Sequence, residues 1–341
     1  MTVTAESVYQ DLKNITIGGS VCLYSYETCE QMAPLINEIN TLKREKDAVI
    51  LAHSYVSPEI IYGVADFVGD SYELSKKAKE TEAQNIIFVA VKFMAETAKI
   101  INPQKRVFIP SQFNGCSLAD SITAKDVEDL RKKYPDRTFV CYINTTAEVK
   151  ALCDVCVTSS NVVDIISAIP NEKIYFLPDK LMGENIVNDL NDKGIQKDVL
   201  FYHGTCYVHE AYDSDMITYL RQKHADIEVL SHPECDETVV QNSDFVGSTS
   251  QLVNYIHASP NKEFVLLTEC GLSTKLQLEN PEKKFIGSCT MCKYMKSNSL
   301  ESIASILKSP KDCDEILLND TVINDAKRCI DSMFDYTNKK G

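Results

Sequence analysis

The sequence predicts an α/β fold built three times over: three similar three-layer α/β domains with parallel sheets, related by a pseudo-three-fold axis. Three observations carry this. Cysteines in equivalent strand-to-helix turns recur at Cys116, Cys206 and Cys292, spaced by 90 and 86 residues. Polar residues that close an apolar run recur at His53, Asn144 and His232, spaced by 91 and 88. Serines that open a helical pattern recur at Ser71, Ser160 and Ser248, spaced by 89 and 88. A fixed period is the mark of a repeated supersecondary unit. Apolar runs alternating with helical patterns are the mark of βα units and a parallel sheet. Any α/β chain alternates, but three separate landmarks keep the same period here.

The elements follow in order. Residues 1–30 give weak signals and read as an irregular arm. Gln31 to Lys46 has Leu35, Ile36, Ile39 and Leu42 on one helical face. Ala48 to Ala52 is a continuous apolar run, as expected of a parallel strand covered on both faces, and it ends at His53-Ser54-Tyr55. Residues 65–71 then open a helix at Ser71. Ile86–Val91 reads as a strand, Met94–Ile101 as a helix, and Val107–Pro110 as a strand leading to Cys116. The second copy runs from the strand Thr138–Ile143, through a helix opened by residues 154–160, to the strands Lys173–Leu177 and Val199–Tyr202 and then Cys206. The third runs from Ile227–Ser231, through a helix opened by residues 244–250, to Glu263–Leu267, Lys284–Ile286 and Cys292. The expected units are an arm with its helix (1–46), three α/β repeats (47–137, 138–226 and 227–309) and a C-terminal helical extension (310–341), with a helix over Asp320–Met333 that packs back on the body.

The balance of charge narrows the function. Lys and Arg number 35 against 49 Asp and Glu, a formal net charge of −14. Nucleic acid and anionic membrane both require basic surface, so neither is expected as a partner. The start shows no basic segment followed by an apolar run, and no stretch reaches the ~18 apolar residues of a membrane span. The expected location is cytoplasmic. The 13 cysteines are then not a disulfide framework, because cytosolic thiols are kept reduced. Cys22, Cys29, Cys141, Cys153, Cys235, Cys270, Cys313 and Cys329 are expected as buried small hydrophobes, and the Cys153-x-x-Cys156 pair as packing.

The three repeated cysteines differ. Functional groups in open parallel sheets gather outside the carboxyl ends of the strands. If three domains pack about one axis, three soft ligands meet there, which suits an iron–sulfur cluster or zinc. Three cysteines on a [4Fe-4S] cube leave one iron open, as a Lewis-acid centre requires. In the Cys289-x-x-Cys292 pair, the period favours Cys292 as the ligand with Cys289 spare. The hydroxyl-rich helix starts at 69–71, 158–160 and 247–250 are ordinary capping sequences taken singly. At three matched positions they point to binding of a carboxylate or phosphate. His53, Tyr55, His232 and Glu234 are the candidate proton carriers. His209 and Glu210 read as support for Cys206.

Several stretches resemble the quinolinate synthase family: Leu51-Ala-His-Ser-Tyr55, Val68-Gly-Asp-Ser-Tyr-Glu-Leu74, Phe93-Met-Ala-Glu-Thr-Ala-Lys99 and Gly115-Cys-Ser-Leu-Ala-Asp120. So do Tyr142-Ile-Asn-Thr145, Thr158-Ser-Ser-Asn161, Phe176-Leu-Pro-Asp-Lys180, Cys206-Tyr-Val-His-Glu210, His232-Pro-Glu-Cys235 and Gly247-Ser-Thr-Ser250. The likeness runs in order from about residue 32 to 308. It implies an oxygen-sensitive [4Fe-4S] enzyme of NAD biosynthesis that condenses iminoaspartate with dihydroxyacetone phosphate to quinolinate, phosphate and water. It implies Cys116, Cys206 and Cys292 as the three cluster ligands, with one open iron. It places substrate contacts at His53, Tyr55, Ser71, Tyr142, Asn144, Ser159, His232, Glu234, Ser248 and Thr249, and suggests an aspartate-oxidising enzyme as a transient partner. This chain departs from the family pattern at Val56, where Gln is usual, at Lys92, where His is frequent, and at Phe113-Asn114, where an acidic-Ala pair is frequent. Two other readings share these residues. One is a cluster-dependent hydro-lyase acting on another small acid; the other is a redox sensor using Cys289 and Cys292 as a dithiol.

Overall fold

The computed structural model of the chain describes residues 2–17, 21–22, 24–287 and 290–338. Cys289 and the side chain of Cys22 lie outside this description. Helix α1 (Ala5–Leu12) opens the chain with a Thr4–Ser7 capping box and buries Val8 and Leu12. The expected irregular arm is therefore partly helical. Eight residues with only two buried apolar positions are too short to show a period. A two-residue antiparallel pair, β1 (Thr16–Ile17) and β2 (Val21–Cys22), leads to α2 (Tyr26–Glu45). Helix α2 starts five residues earlier than its apolar face suggests, because the Ser25 hydroxyl caps it by accepting from Thr28 N–H.

Three parallel sheets follow. The first repeat holds β3 (Ala48–His53), α3 (Pro58–Gly63), β4 (Phe67–Gly69), α4 (Ser71–Glu80), β5 (Asn85–Val89), α5 (Lys92–Ile101), β6 (Arg106–Phe108) and α6 (Ala124–Lys133). The second holds β7 (Thr138–Tyr142), α7 (Ala147–Ala151), β8 (Val155–Val157), α8 (Val162–Ala168), β9 (Lys173–Leu177), α9 (Lys180–Asp192), β10 (Asp198–Phe201) and α10 (Ser214–Lys223). The third holds β11 (Glu228–Ser231), α11 (Glu237–Gln241), β12 (Phe245–Val246), α12 (Thr249–Ala258), β13 (Glu263–Leu267), α13 (Cys270–Glu279), β14 (Lys284–Phe285) and α14 (Leu300–Lys308).

The strand orders are β4-β3-β5-β6, β8-β7-β9-β10 and β12-β11-β13-β14, the same order in each repeat. Each repeat has four strands where the sequence signals only three. The extra ones, β4, β8 and β12, are two or three residues long and sit at a sheet edge, too short to show alternation. The central strands are continuous apolar runs: Val49 to His53 in β3 and Phe139 to Tyr142 in β7 are buried throughout. This is the burial expected of parallel strands covered by helices on both faces.

Helix α15 (Asp320–Asn338) returns to the body and lies across α7, β8, α8 and α5. On the way, Ile109 N–H donates to Asp314 C=O and Ile316 N–H to Val107 C=O, which covers the open edge of β6. Helix α14 packs on α2, so both ends of the chain brace the repeats. Cys141, Cys153, Cys156 and Cys329 gather in the core between β7, β8 and α15, with Cys141 Sγ 3.5 Å from Cys329 Sγ. Cys29, Cys235 and Cys270 are buried as expected. Cys313 is exposed, contrary to expectation, because it sits on a surface turn over Asp312–Asp314. Among the described residues no helix is long and apolar enough to cross a membrane.

Ile330 is fully buried on α15. Ile330→Ala should lower the unfolding free energy by about 2–5 kcal/mol, read from the urea midpoint of the purified protein. A loss well below about 1 kcal/mol would mean that α15 is not part of the packed core.

Candidate active site between the three repeats

In each sheet the first strand lies between the second and third. The connections that leave the first and third strands therefore depart to opposite sides, and the crevice beyond their carboxyl ends is where open α/β sheets bind ligands. His53 closes β3, Tyr142 closes β7, and His232 follows β11. One cavity collects residues from all three of these ends. His53, Tyr55, Ser71, Tyr142, Asn144, Ser159, His232, Glu234 and Thr249 line it, together with Cys116, Cys206 and Cys292. Ser248 stands apart. Its hydroxyl caps α12 by accepting from Gln251 N–H at 3.3 Å and donates to Asp70 Oδ2 at 3.5 Å.

The three cysteine turns are copies of one another. The cysteine C=O accepts from the N–H four residues on: Asp120 for Cys116 (2.8 Å), Glu210 for Cys206 (2.9 Å) and Lys296 for Cys292 (3.0 Å). Ala119 N–H donates to the Cys116 sulfur at 3.5 Å, and in the other two turns the N–H groups of Val208 and His209, and of Tyr294 and Met295, favour the thiolate over the thiol. Burial raises all three thiols, Cys116 to about 12, and the neighbouring cysteines add to the rise at Cys116 and Cys206. A neutral thiol is a weak acceptor. Three matched turns whose N–H groups favour the thiolate suit sulfurs with their charge met by a metal, so the donor set fits a thiolate-bound metal group.

Two histidines are built alike. Tyr55 N–H donates to His53 Nδ1 at 3.1 Å, and Glu234 N–H to His232 Nδ1 at 3.3 Å. With Nδ1 accepting, the ring proton of each neutral imidazole sits on Nε2. Burial lowers His53 to about 4, with Lys296 adding and Asp70 opposing. Burial and His209 lower His232 to about 3. Both rings are therefore neutral donors at neutral pH.

Glu234 is the opposite case. Burial disfavours its charge, yet His209, His232 and the Tyr142 hydroxyl outweigh burial and hold it at about 2. Tyr142 donates to Oε1 at 2.7 Å, and His209 Nδ1 meets Oε2 at 3.0 Å. The Tyr142 hydroxyl is raised by burial and by Glu234. Tyr55 is likewise raised by burial, and its hydroxyl meets Thr249 and Thr268 hydroxyls, each at 2.8 Å.

Cys206, His209 and Glu234 bring one ligand atom each within 4.8 Å of one another. That is not a ready site for a single ion, because both ring nitrogens of His209 are engaged, Nδ1 with Glu234 and Nε2 with the Thr268 hydroxyl at 3.0 Å. The sequence points to His209 as support for Cys206, whereas its side chain meets Glu234 and the Thr268 hydroxyl.

Sequence reasoning missed Glu269, Lys296 and Asp70. Glu269 lines the cavity and is almost fully buried; it accepts from Gly271 N–H (2.6 Å) and Cys292 N–H (3.1 Å) and pairs with Lys296 at 3.4 Å. Lys296 also donates to Tyr55 C=O at 2.5 Å. The repeat held the signal: Asp179 and Glu269 each follow the third strand of a repeat, 90 residues apart, and bridge to the turns at Gly204 and Thr290. Asp70 caps α4 by accepting from Tyr72 and Glu73 N–H, each at 3.0 Å, and reaches Ser250 N–H of the third repeat at 3.4 Å.

Comparisons with known proteins agree with this architecture. The family model described as Quinolinate synthetase A protein matches residues 37–335. The chain is 41% identical to a quinolinate synthase of Xylella fastidiosa over 298 residues, 87% of this chain and 86% of the relative. It is 41% identical to one of Aquifex aeolicus over 317 residues, 91% and 96% of the two. It is 42% identical to one of Caldicellulosiruptor bescii over 303 residues, 88% and 98% of the two.

The two cavity histidines make a testable pair. Their imidazole ¹⁵N resonances should stay those of neutral Nε2–H rings down to about pH 5, and titration near 6.5 would contradict the geometry. The folded values lie below the ordinary 6.5, so the unfolded chain binds more protons between 6.5 and 4. Stability contributed by the neutral rings is complete above 6.5 and falls as the pH drops through that window.

Proposed function

The chain belongs to the quinolinate synthetase A family, and from that premise we propose that it condenses iminoaspartate with dihydroxyacetone phosphate to give quinolinate. The atoms balance with one phosphate and two waters leaving, and no external oxidant or reductant enters. The observation that carries this reading is the set of three matching cysteine turns opening on the cavity of His53, Tyr142, His232 and Glu234.

Cys116, Cys206 and Cys292 would hold a [4Fe-4S] cluster, the open iron of which supplies Lewis acidity toward a substrate oxygen in dehydration. The rest falls to the chain's own groups. The Nε2–H donors of His53 and His232 bind and polarise substrate oxygens. Tyr142, held on the Glu234 carboxylate, orients the same substrate and carries the proton nearest to that charge. Tyr55, fixed by the Thr249 and Thr268 hydroxyls, closes the other side of the cavity. Ser71, Asn144, Ser159 and Thr249 offer hydroxyl and amide donors to the carboxylates and the phosphate, with Ser248 acting through its contact with Asp70. The proton carriers remain the set His53, Tyr55, His232 and Glu234.

Iminoaspartate must come from a reaction that removes two electrons from aspartate, so a transient contact with such an enzyme belongs to the same proposal, as does a cytoplasmic place of action. The boundaries at 46/47, 137/138, 226/227 and 309/310 belong to it too, and each falls after the last helix of one unit.

The experiment is an anaerobic assay of reconstituted protein with the two substrates, followed by detection of quinolinate. Wild type should form it. Cys116→Ala, Cys206→Ala and Cys292→Ala should each lose the bound iron, the brown colour and the activity together. An active, brown Cys206→Ala protein would overturn the ligand set. Tyr142→Phe should retain the cluster and lose about 10²–10³ in rate, and an unchanged rate would remove Tyr142 from the substrate site.

A further inference from the structure

Each repeat supplies one aromatic ring close in sequence to its own cysteine: Phe113, Tyr207 and Tyr294. The Lys293 ammonium lies over all three, 5.9 Å from the centres of the Phe113 and Tyr207 rings and 5.0 Å from that of Tyr294. The Phe113 and Tyr294 rings also meet, with centroids 5.4 Å apart. Phe113 is 58% exposed, and none of the three rings lines the cavity.

The ring hydroxyl of Tyr207 has a second task. It accepts from Lys293 N–H at 2.8 Å and donates to Met291 C=O at 3.2 Å, gripping the backbone on both sides of Cys292. Tyr207 itself follows Cys206, so it ties the second cysteine turn to the third. The Ser297 hydroxyl lies 2.6 Å from Tyr294 C=O and 2.8 Å from Phe113 C=O, and so links the third turn to the first. A cation over aromatic faces binds by the ring quadrupole and still holds in partial contact with water. Phe113 contributes an uncharged ring to this contact. A ring at that position keeps Lys293 bound without adding a negative charge beside three thiolates.

We infer that Tyr207 and Lys293, with Phe113 and Tyr294, form a clasp that fixes the spacing of the three cysteine turns and so retains the metal cluster. They are positioning residues and touch no substrate. The inference rests on the cluster reading of Cys116, Cys206 and Cys292, and it concerns how firmly the cluster is held rather than the reaction it serves.

The test needs no turnover. Wild type, Tyr207→Phe, Lys293→Ala, Lys293→Arg and Phe113→Ala are reconstituted anaerobically and counted for iron and sulfide. Loss of the cluster's visible absorption is then timed after adding a chelator. Tyr219→Ala is the control, since Tyr219 is an exposed ring under Lys223 at 5.7 Å on a helix away from the site. Lys293→Ala and Phe113→Ala, which remove a cation–π contact, and Tyr207→Phe, which keeps the ring and removes the two hydroxyl hydrogen bonds, should each lose the cluster about three- to fivefold faster. Lys293→Arg should restore the wild-type rate, because a guanidinium also stacks on aromatic faces. The control should behave as wild type, and thermal midpoints of the cluster-free proteins should coincide. Equal loss rates in wild type and the clasp variants would overturn the inference, as would acceleration in the Tyr219→Ala control of the same size. If wild type takes up no iron at all, the proposed cluster itself falls; if it does and the clasp variants match it, only the clasp falls.

Discussion

The rest of the molecule depends on three matched cysteine turns that bring their sulfurs to one cavity. Each cysteine turn is short, and each is closed by its own hydrogen bonds, so the sulfur's position is set by local backbone rather than by distant packing. What packing contributes is convergence. The same strand order in three sheets delivers three identical turns to one cavity. A parallel sheet with its first strand between the second and third has its binding crevice at the carboxyl ends of those strands. Repeating that unit turns three ordinary crevices into one enclosed site, which no single repeat has the residues to build.

The electrostatics of the cavity follow from the same burial. A cavity this enclosed penalises isolated charge, and the protein responds in two ways. The histidines give up their protons and present Nε2–H, so they donate without carrying charge. Glu234 keeps its charge, because Tyr142, His209 and His232 surround it. Glu269 is buried as deeply and has Lys296 and two backbone N–H groups for partners, and burial still raises its carboxyl above the usual range. The two carboxyls thus differ by environment alone, one held as an anion within the cavity and one bracing the Cys292 turn.

The sequence displayed the period, and the period was enough to single out Cys116, Cys206 and Cys292 and the strand ends at His53, Asn144 and His232. Those signals survive because they are local: a turn of fixed length after a strand leaves a residue pattern. The edge strands β4, β8 and β12 left none, since two or three residues cannot alternate. Asp70, Glu269 and Lys296 were hidden for a different reason. Asp70 and Lys296 act across repeats, as when Lys296 reaches Tyr55 from 241 positions away, and Glu269 stands out only beside Asp179 one repeat earlier, so no spacing in a single copy reports them. Cys313 shows the reverse error: its composition-based expectation of burial fails because it sits on a surface turn. Ser248 shows the limit of matched positions, for its hydroxyl closes a helix and contacts Asp70 instead of lining the cavity.

In the proposed site three protein sulfurs hold four irons and leave one of them for substrate. Mössbauer spectroscopy of protein reconstituted anaerobically with ⁵⁷Fe tests it most directly. One iron of four should be distinct, with parameters that change when substrate or product is added while the other three stay fixed. Four equivalent irons unmoved by substrate, or a single bound ion without sulfide, would contradict it.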